Sequence, residues 1–284
     1  MMTRRSLAKP VGAEGIALHA GTRVAMTLTP AEPGRGIVFR RTDIDCTIPA
    51  LYGSVVETRL GTVLGGGARA RVGVIEHLMA AIAGSEIDDL EVVLDGPEPP
   101  ILDGDALGYL SLIEKAGTIE QPMKREIVRV RQPVKAVSGN ASAALIPANA
   151  RTFEFEIEFE SAAIGRQHYA WTFDRESFAR EIAPARTFGF VHELEALKSA
   201  GLGRGASLEN TLAIQGDRLL NPQLIRLPDE FVRHKILDAL GDLALAGAPI
   251  IGRFVGIRSG HALNNQLLRA LFSDAENYSR EQAG

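Results

Sequence analysis

Cysteine is almost absent: Cys46 is the only one in 284 residues. One thiol cannot close an intramolecular disulfide. It also excludes a cysteine-based zinc site or iron–sulfur cluster within one chain. Long apolar runs are missing too. The most apolar region, 236–257, is broken by Asp238, Asp242 and Arg253, so no segment has the roughly 18 uncharged apolar residues of a membrane span. Charge of one sign is not in excess, with 31 Lys and Arg against 35 Asp and Glu and a net charge of −4. That balance gives no general affinity for nucleic acid, although a local basic site for a phosphorylated small molecule stays open. Thr3-Arg4-Arg5-Ser6-Leu7 has a superficial twin-arginine look, but Lys9, Pro10, Gly12, Glu14 and Gly15 follow where an export signal needs an apolar stretch. We therefore expect a cytoplasmic protein without stable membrane insertion.

What is there reads as an ordinary globular chain, 45% hydrophobic and 23% charged. At about 150 residues per domain, its length suggests two domains or one large one. Residues 24–28 and 36–40 read as a hairpin joined through Pro30–Gly34. Residues 74–83 read as a helix stopped by Gly84, 90–94 as a strand, and 105–115 as a helix stopped by Gly117. A boundary is expected at 117–124, where Gly and Pro punctuate a polar stretch. Beyond it, 126–131 reads as a strand. In 152–160, Phe153, Phe155, Ile157 and Phe159 alternate with four glutamates, the pattern of a half-buried strand. Residues 229–246 give the longest helix, 253–258 a strand and 264–272 a last helix. The order helix, strand, loop, helix thus occurs twice, each time with a histidine near the start of the first helix. This predicts an α+β protein of two similar domains facing each other, about 1–120 and 125–284.

With cysteine excluded, any transition-metal ligands must be nitrogen and oxygen. The six histidines (19, 77, 168, 192, 234, 261) are the first candidates. His234 and Asp238 stand four apart on a predicted helix, so an imidazole and a carboxylate share one face and can meet one cation. Asp242 continues the row. The plain alternative is a surface ion pair, but the helix is otherwise apolar, and a buried carboxylate needs a partner. Glu76 and His77 are adjacent, hence about 100° apart on a helix. They suit one ligand plus one base better than two ligands, and the alternative is an acid stabilising the helix dipole beside a buried histidine. His261 lies in a glycine-containing turn before a helix, where catalytic groups tend to sit. Thr187 offers a hydroxyl donor or simple strand packing. His19 sits in a glycine-bracketed turn and could touch substrate, whereas His168 and His192 read as structural or solvated. The stretch 201–207 has three glycines and Arg204 but lacks the Gly-Lys-Ser/Thr ending of a phosphate loop.

Together these segments resemble one family, the UDP-3-O-acyl-N-acetylglucosamine deacetylases, zinc amidases of lipid A synthesis in Gram-negative bacteria. The resemblance runs from about residue 7 to 271. It is carried by GIALHAG (15–21), GIVFRRTD (36–43), EHLMAA (76–81), LDG (102–104), ARTFGF (185–190), FVRHKILDALGD (231–242) and SGHALNNQLL (259–268). It implies two α+β domains with the active site between them, and one Zn2+ per chain on His77, His234 and Asp238, a set that Fe2+ also suits. It further implies Glu76 as the base acting on water, Thr187 as an oxyanion donor and His261, held by Asp242, as a cationic group. Lys235 would contact substrate near the metal. Phe188, Leu18, His19, Leu60, Leu194, Ser207 and Leu208 would line the path of the acylated UDP-amino sugar. Its acyl chain would occupy an apolar passage formed by an insert at about 191–221. The expected partners are this substrate and water, with no nucleic acid, and the chain is expected to be a monomer. The sequence departs from the family pattern at Val74, Asp105 and Ala248, which raises the alternatives of another acetamido sugar as substrate or of a non-catalytic sensor.

Overall fold

The computed structural model describes residues 2–67 and 70–284. Its first sheet has five strands in the order Val11–Ile16, Arg23–Pro30, Leu90–Leu94, Ile37–Arg41, Cys46–Pro49. The predicted hairpin is not formed. Strand Leu90–Leu94 lies between its two arms, antiparallel to Arg23–Pro30 and parallel to Ile37–Arg41. Its Leu90, Val92 and Leu94 are fully buried, so inserting it hides more apolar surface than a direct hairpin could. The first arm ends on Pro30 and the six residues that follow, 31–36, hold Pro33, which suits a wide crossing better than a tight turn.

Helix α1 spans Glu76–Gly84 and α2 spans Leu107–Ala116. The predicted start of α1 at residue 74 is two residues early. Val74 has a positive φ of 53°, outside helical space, and lines the cavity described below. At the boundary expected at 117–124 the chain is extended. Thr118–Lys124 is a strand, antiparallel to Thr3–Leu7, and of its residues only Gln121 is buried.

The second sheet has seven strands centred on Ile250–Ile257, which pairs antiparallel with Ala141–Ile146 and parallel with Arg151–Glu158 and Glu126–Val130. Strand Arg151–Glu158 buries Phe153, Phe155 and Ile157, as their alternation predicts, each burial contributing about 1.5–3 kcal/mol. Its opposite face pairs Glu154 with Arg253 and His168, and Glu156 with Arg166. The strand ends at Glu158, so Phe159 leaves the sheet and faces the cavity below.

Helix α3 (Val191–Ser199) buries none of its side chains, whereas α4 (Glu230–Ala244) buries twelve of its fifteen residues. Helix α5 is His261–Phe272, so His261 opens the helix instead of preceding it. Helices α4 and α5 cover the second sheet, and α1 packs on α4. The architecture is therefore α+β, two sheet-and-helix halves joined through their helices. Gly241 makes the closest approach possible. A Cβ there would lie 2.0 Å from the carbonyl oxygen of Glu76, so a side chain at 241 would force α1 off α4.

Candidate active site

Because α1 and α4 pack so closely, the first turn of one faces the middle of the other. His77 on α1 comes to Asp238 on α4, with Nε2 to Oδ1 at 3.6 Å. Nε2 of His234 lies 3.4 Å from the same oxygen. The rings of His77 and His234 meet edge to face, centroids 4.9 Å apart. All three side chains are buried, and their ligand atoms lie within 4.8 Å of one another.

The donor set fits a divalent metal ion. Ligand bonds of about 2.0–2.2 Å in a tetrahedron separate ligand atoms by roughly 3.4 Å, which matches the two distances above. Oδ1 of Asp238 is buried without a hydrogen-bond partner, as is Nδ1 of His77. Such an orphaned carboxylate oxygen is costly unless a cation meets it. Burial first of all, and then the nearby cations, hold His234 low, at about 3, so its imidazole is neutral. The Nδ1 atom of His234 lies 3.1 Å from the Ala185 carbonyl, which fixes the tautomer that leaves the Nε2 lone pair free. Burial works against ionisation of Asp238, yet the Lys235 ammonium on its other oxygen helps hold the carboxyl well below its usual range.

Glu76 points elsewhere than His77, as adjacent helical residues must. Its Oε2 accepts the Thr62 backbone N–H at 2.9 Å, and its Oε1 stands 3.9 Å from Nε2 of His261. Burial pushes the Glu76 carboxyl above its usual range, against the pull of His261 and His77. Gly61 allows this contact. Its φ is +143°, and a Cβ there would lie 2.8 Å from Oε1 of Glu76.

Nδ1 of His261 donates to Oδ2 of Asp242 at 2.8 Å. The same oxygen accepts from Asn264 at 2.9 Å, while Oδ1 accepts from Thr62 Oγ1 at 2.5 Å. Burial opposes a charge on His261, but Asp242 and Glu76 prevail and push it up to about 10, so it is a cation at neutral pH. Lys235 donates to Oδ2 of Asp238 at 2.5 Å, and this attraction keeps its ammonium charged in spite of burial.

Thr187 is held by its backbone, donating N–H to the Gly104 carbonyl and accepting from Leu212. The preceding Arg186 N–H donates to buried Glu230 in the first turn of α4. Phe188 packs edge to face on Phe231 and Phe159. These groups enclose a cavity of about 350 Å³ lined by Glu76, His77, Thr187, Phe188, His234, Lys235, Asp238 and His261, with Leu18 and Leu60 on the far wall. His19, Leu194, Ser207 and Leu208 do not line it. His19 uses both ring nitrogens structurally, meeting the Leu60 carbonyl at 3.1 Å and the Gly203 N–H at 3.2 Å. Ser207 and Leu208 are exposed on the segment beyond α3, and Leu194 is half-buried on α3.

Thr62 and Asn264 escaped the sequence reading. Thr62 lies in no motif that suggests chemistry, and only the fold carries it to Asp242. Asn264 stood inside SGHALNNQLL, where its spacing of three from His261 was the available signal. Asp105 also finds an explanation. It is buried, accepts the Leu107 N–H at the start of α2, and pairs with Arg226.

Residues 4–273 match the model of the UDP-3-O-acyl N-acetylglycosamine deacetylase family. A protein of Myxococcus xanthus named UDP-3-O-acyl-N-acetylglucosamine deacetylase is 48% identical over 277 residues, covering 97% of this chain and 88% of the relative. A protein of the same name from Phenylobacterium zucineum is 46% identical over 273 residues, covering 95% and 93%. One from Chromobacterium violaceum is 46% identical over 283 residues, covering 97% and 92%. With its histidines and acids gathered on one cavity and a similarity that runs almost from end to end, the chain belongs to the UDP-3-O-acyl N-acetylglycosamine deacetylase family.

Proposed function

We propose that this chain hydrolyses the acetamide of UDP-3-O-acyl-N-acetylglucosamine, releasing acetate and the free 2-amino sugar nucleotide in lipid A synthesis. The observation that carries the reading is the convergence of His77, His234 and Asp238 beside Glu76 and His261 on one cavity. The metal is read as one Zn2+, because two neutral imidazoles and a carboxylate form an open three-ligand set; Fe2+ suits the same donors.

When bound, the metal acts as a Lewis acid on water and on the acetamide carbonyl. Glu76 takes a proton from the attacking water, a task its raised pKa favours. The water oxygen joins the acetyl carbon, and the C–N bond breaks. Thr187 faces the cavity and donates its hydroxyl to the oxygen that gains charge. His261, a cation held by Asp242, gives its proton to the departing amine or offsets charge beside it. Lys235 keeps Asp238 aimed inward and presents its remaining hydrogens to substrate. Phe188, Leu18 and Leu60 form the apolar wall along which the acyl chain enters, toward the segment 191–221 with His19, Leu194, Ser207 and Leu208.

The same reading divides the chain at about 1–120 and 125–284, with one half supplying Glu76 and His77 and the other the remaining groups. It takes the enzyme as a cytoplasmic monomer. The extra charge of Asp105 is consumed by Arg226 and the α2 N-terminus, which removes one motive for a different substrate.

Acetate release tests the proposal, measured on the acylated UDP-sugar and on UDP-N-acetylglucosamine, with and without chelator. Turnover is expected only for metal-loaded protein, far faster on the acylated sugar. Glu76→Ala is expected to lose about 10²–10⁴-fold in kcat while keeping its metal. Full activity in that variant, or equal turnover of both sugars, would sink the assignment.

A further inference from the structure

A second cavity, of about 270 Å³, lies at the junction of the two halves and shares no lining residue with the catalytic one. It sits at the other ends of the same two helices. Met79, Ile82 and Ala83 of α1 and Ala244 of α4 form its floor, and Ala83 is about 9 Å along the helix axis from His77. Its volume equals that of about nine waters at ~30 Å³ each.

The wall is divided in character. Ile37, Leu51, Ile82, Ile87, Ala248 and Pro249 supply apolar surface, whereas four arginines, Arg4, Arg35, Arg125 and Arg151, also line the space, with Asp88 as the only acid among its lining residues. Two of the arginines are satisfied. Arg4 makes two hydrogen bonds to Asp89, and Arg125 pairs with Asp88 and Glu86.

The other two are not. Among the described residues the Arg151 guanidinium has no hydrogen-bond or ion-pair partner. Its guanidinium lies 4.7 Å from the ring centroid of Phe173 and 5.7 Å from that of Phe153. Burial chiefly, then repulsion from Arg125, brings it down to about 9, so at neutral pH this partly buried side chain is still a cation. Arg35 is exposed at the rim, and its guanidinium has no partner among the described residues. Counting the partners Asp88, Asp89 and Glu86, four cations face three anions here. A guanidinium kept against aromatic rings without a carboxylate is set to form a two-point contact with an oxyanion.

We propose that this cavity is a second binding site, for a small molecule with an oxyanion on an apolar body. The oxyanion meets Arg151 and Arg35, and the body lies against Leu51, Ile82 and Pro249. Inorganic phosphate carries the charge alone, and phenyl phosphate adds the apolar body, so the two probes separate the contributions.

Isothermal titration of the metal-loaded protein in a phosphate-free buffer tests the site. Phenyl phosphate is expected to bind saturably and at least about tenfold more tightly than phosphate. Arg151→Met should weaken phenyl phosphate by about tenfold or more, while Lys235→Ala, which alters the catalytic cavity, should leave it unchanged. Should Arg151→Met fail to fold, Arg35→Ala decides: weakened binding supports the site and unchanged binding overturns it. The proposal is also overturned by no saturable binding up to about 10 mM, or by binding that is lost in Lys235→Ala and kept in Arg151→Met.

Discussion

The hydroxyl of Thr62 donates to Oδ1 of Asp242 at 2.5 Å, across 180 positions of chain, and the Thr62 backbone N–H holds Glu76 at 2.9 Å. One residue thus positions both the base and, through Asp242, the cation His261. Thr62→Val keeps the shape and the backbone bond but deletes the hydroxyl. A hydrogen bond to a charged group is worth about 1.5–3 kcal/mol, so kcat should fall about tenfold or more. Metal content should not change. Wild-type kcat in Thr62→Val would mean that Asp242 is held well enough by Asn264 and His261 alone.

The pH profile should show two limbs. Glu76 must be ionised to accept a proton, so kcat/KM falls as pH drops through its pKa, which burial places above the ordinary carboxylate range. His261 must be protonated, so activity also falls as pH rises past the point where it discharges. Burial alone would lower that point, and it is Asp242 and Glu76 that push it up to about 10. Asp242→Asn removes the largest of these attractions and should move the alkaline limb to lower pH. A limb that stays in place would separate His261 from the rate.

Metal binding should be read in stability as well as in activity. The proposed ligands sit on α1 and α4, so an ion bound there favours the packed state over the unfolded one. Zinc at 100 times its Kd should stabilise the metal-free protein by about 2.7 kcal/mol, visible as a higher Tm. In His234→Ala the shift should shrink or vanish. An equal shift in that variant would place the ion elsewhere.

Gly241→Ala probes the helix contact that builds the site. Its new methyl would meet the Glu76 carbonyl at 2.0 Å, and backbone cannot swing aside as a side chain can. Overpacking of this kind costs about 1–3 kcal/mol. We expect a lower urea midpoint together with reduced activity, because α1 carries both Glu76 and His77. An unchanged midpoint would show that α1 moves freely against α4.

Much of this was legible before the fold was known. Strand Leu90–Leu94, the alternation of Phe153, Phe155 and Ile157, and the long helix through His234 follow from local periodicity. The His234–Asp238 spacing put an imidazole and a carboxylate on one helix face, and the adjacency of Glu76 and His77 pointed them apart, because helical geometry alone sets those angles. The apparent hairpin misled because it paired a segment with its neighbour in the chain, whereas Leu90–Leu94 arrives from far away and lies between the two arms.

The sequence by itself determined the chemistry on offer. One cysteine leaves nitrogen and oxygen as the metal donors, and helical spacing puts His234 and Asp238 on one face. Only the tertiary structure decided which groups meet. It set the approach of α1 to α4 over Gly241, which brings His77 to Asp238. It carried Thr62 to Asp242, turned His19 to the backbone of Leu60 and Gly203, and left the Arg151 guanidinium facing a cavity with no carboxylate as its partner among the described residues. Local spacing fixes angles within one element. Distances between elements depend on how their buried faces pack, and that is a property of the whole chain.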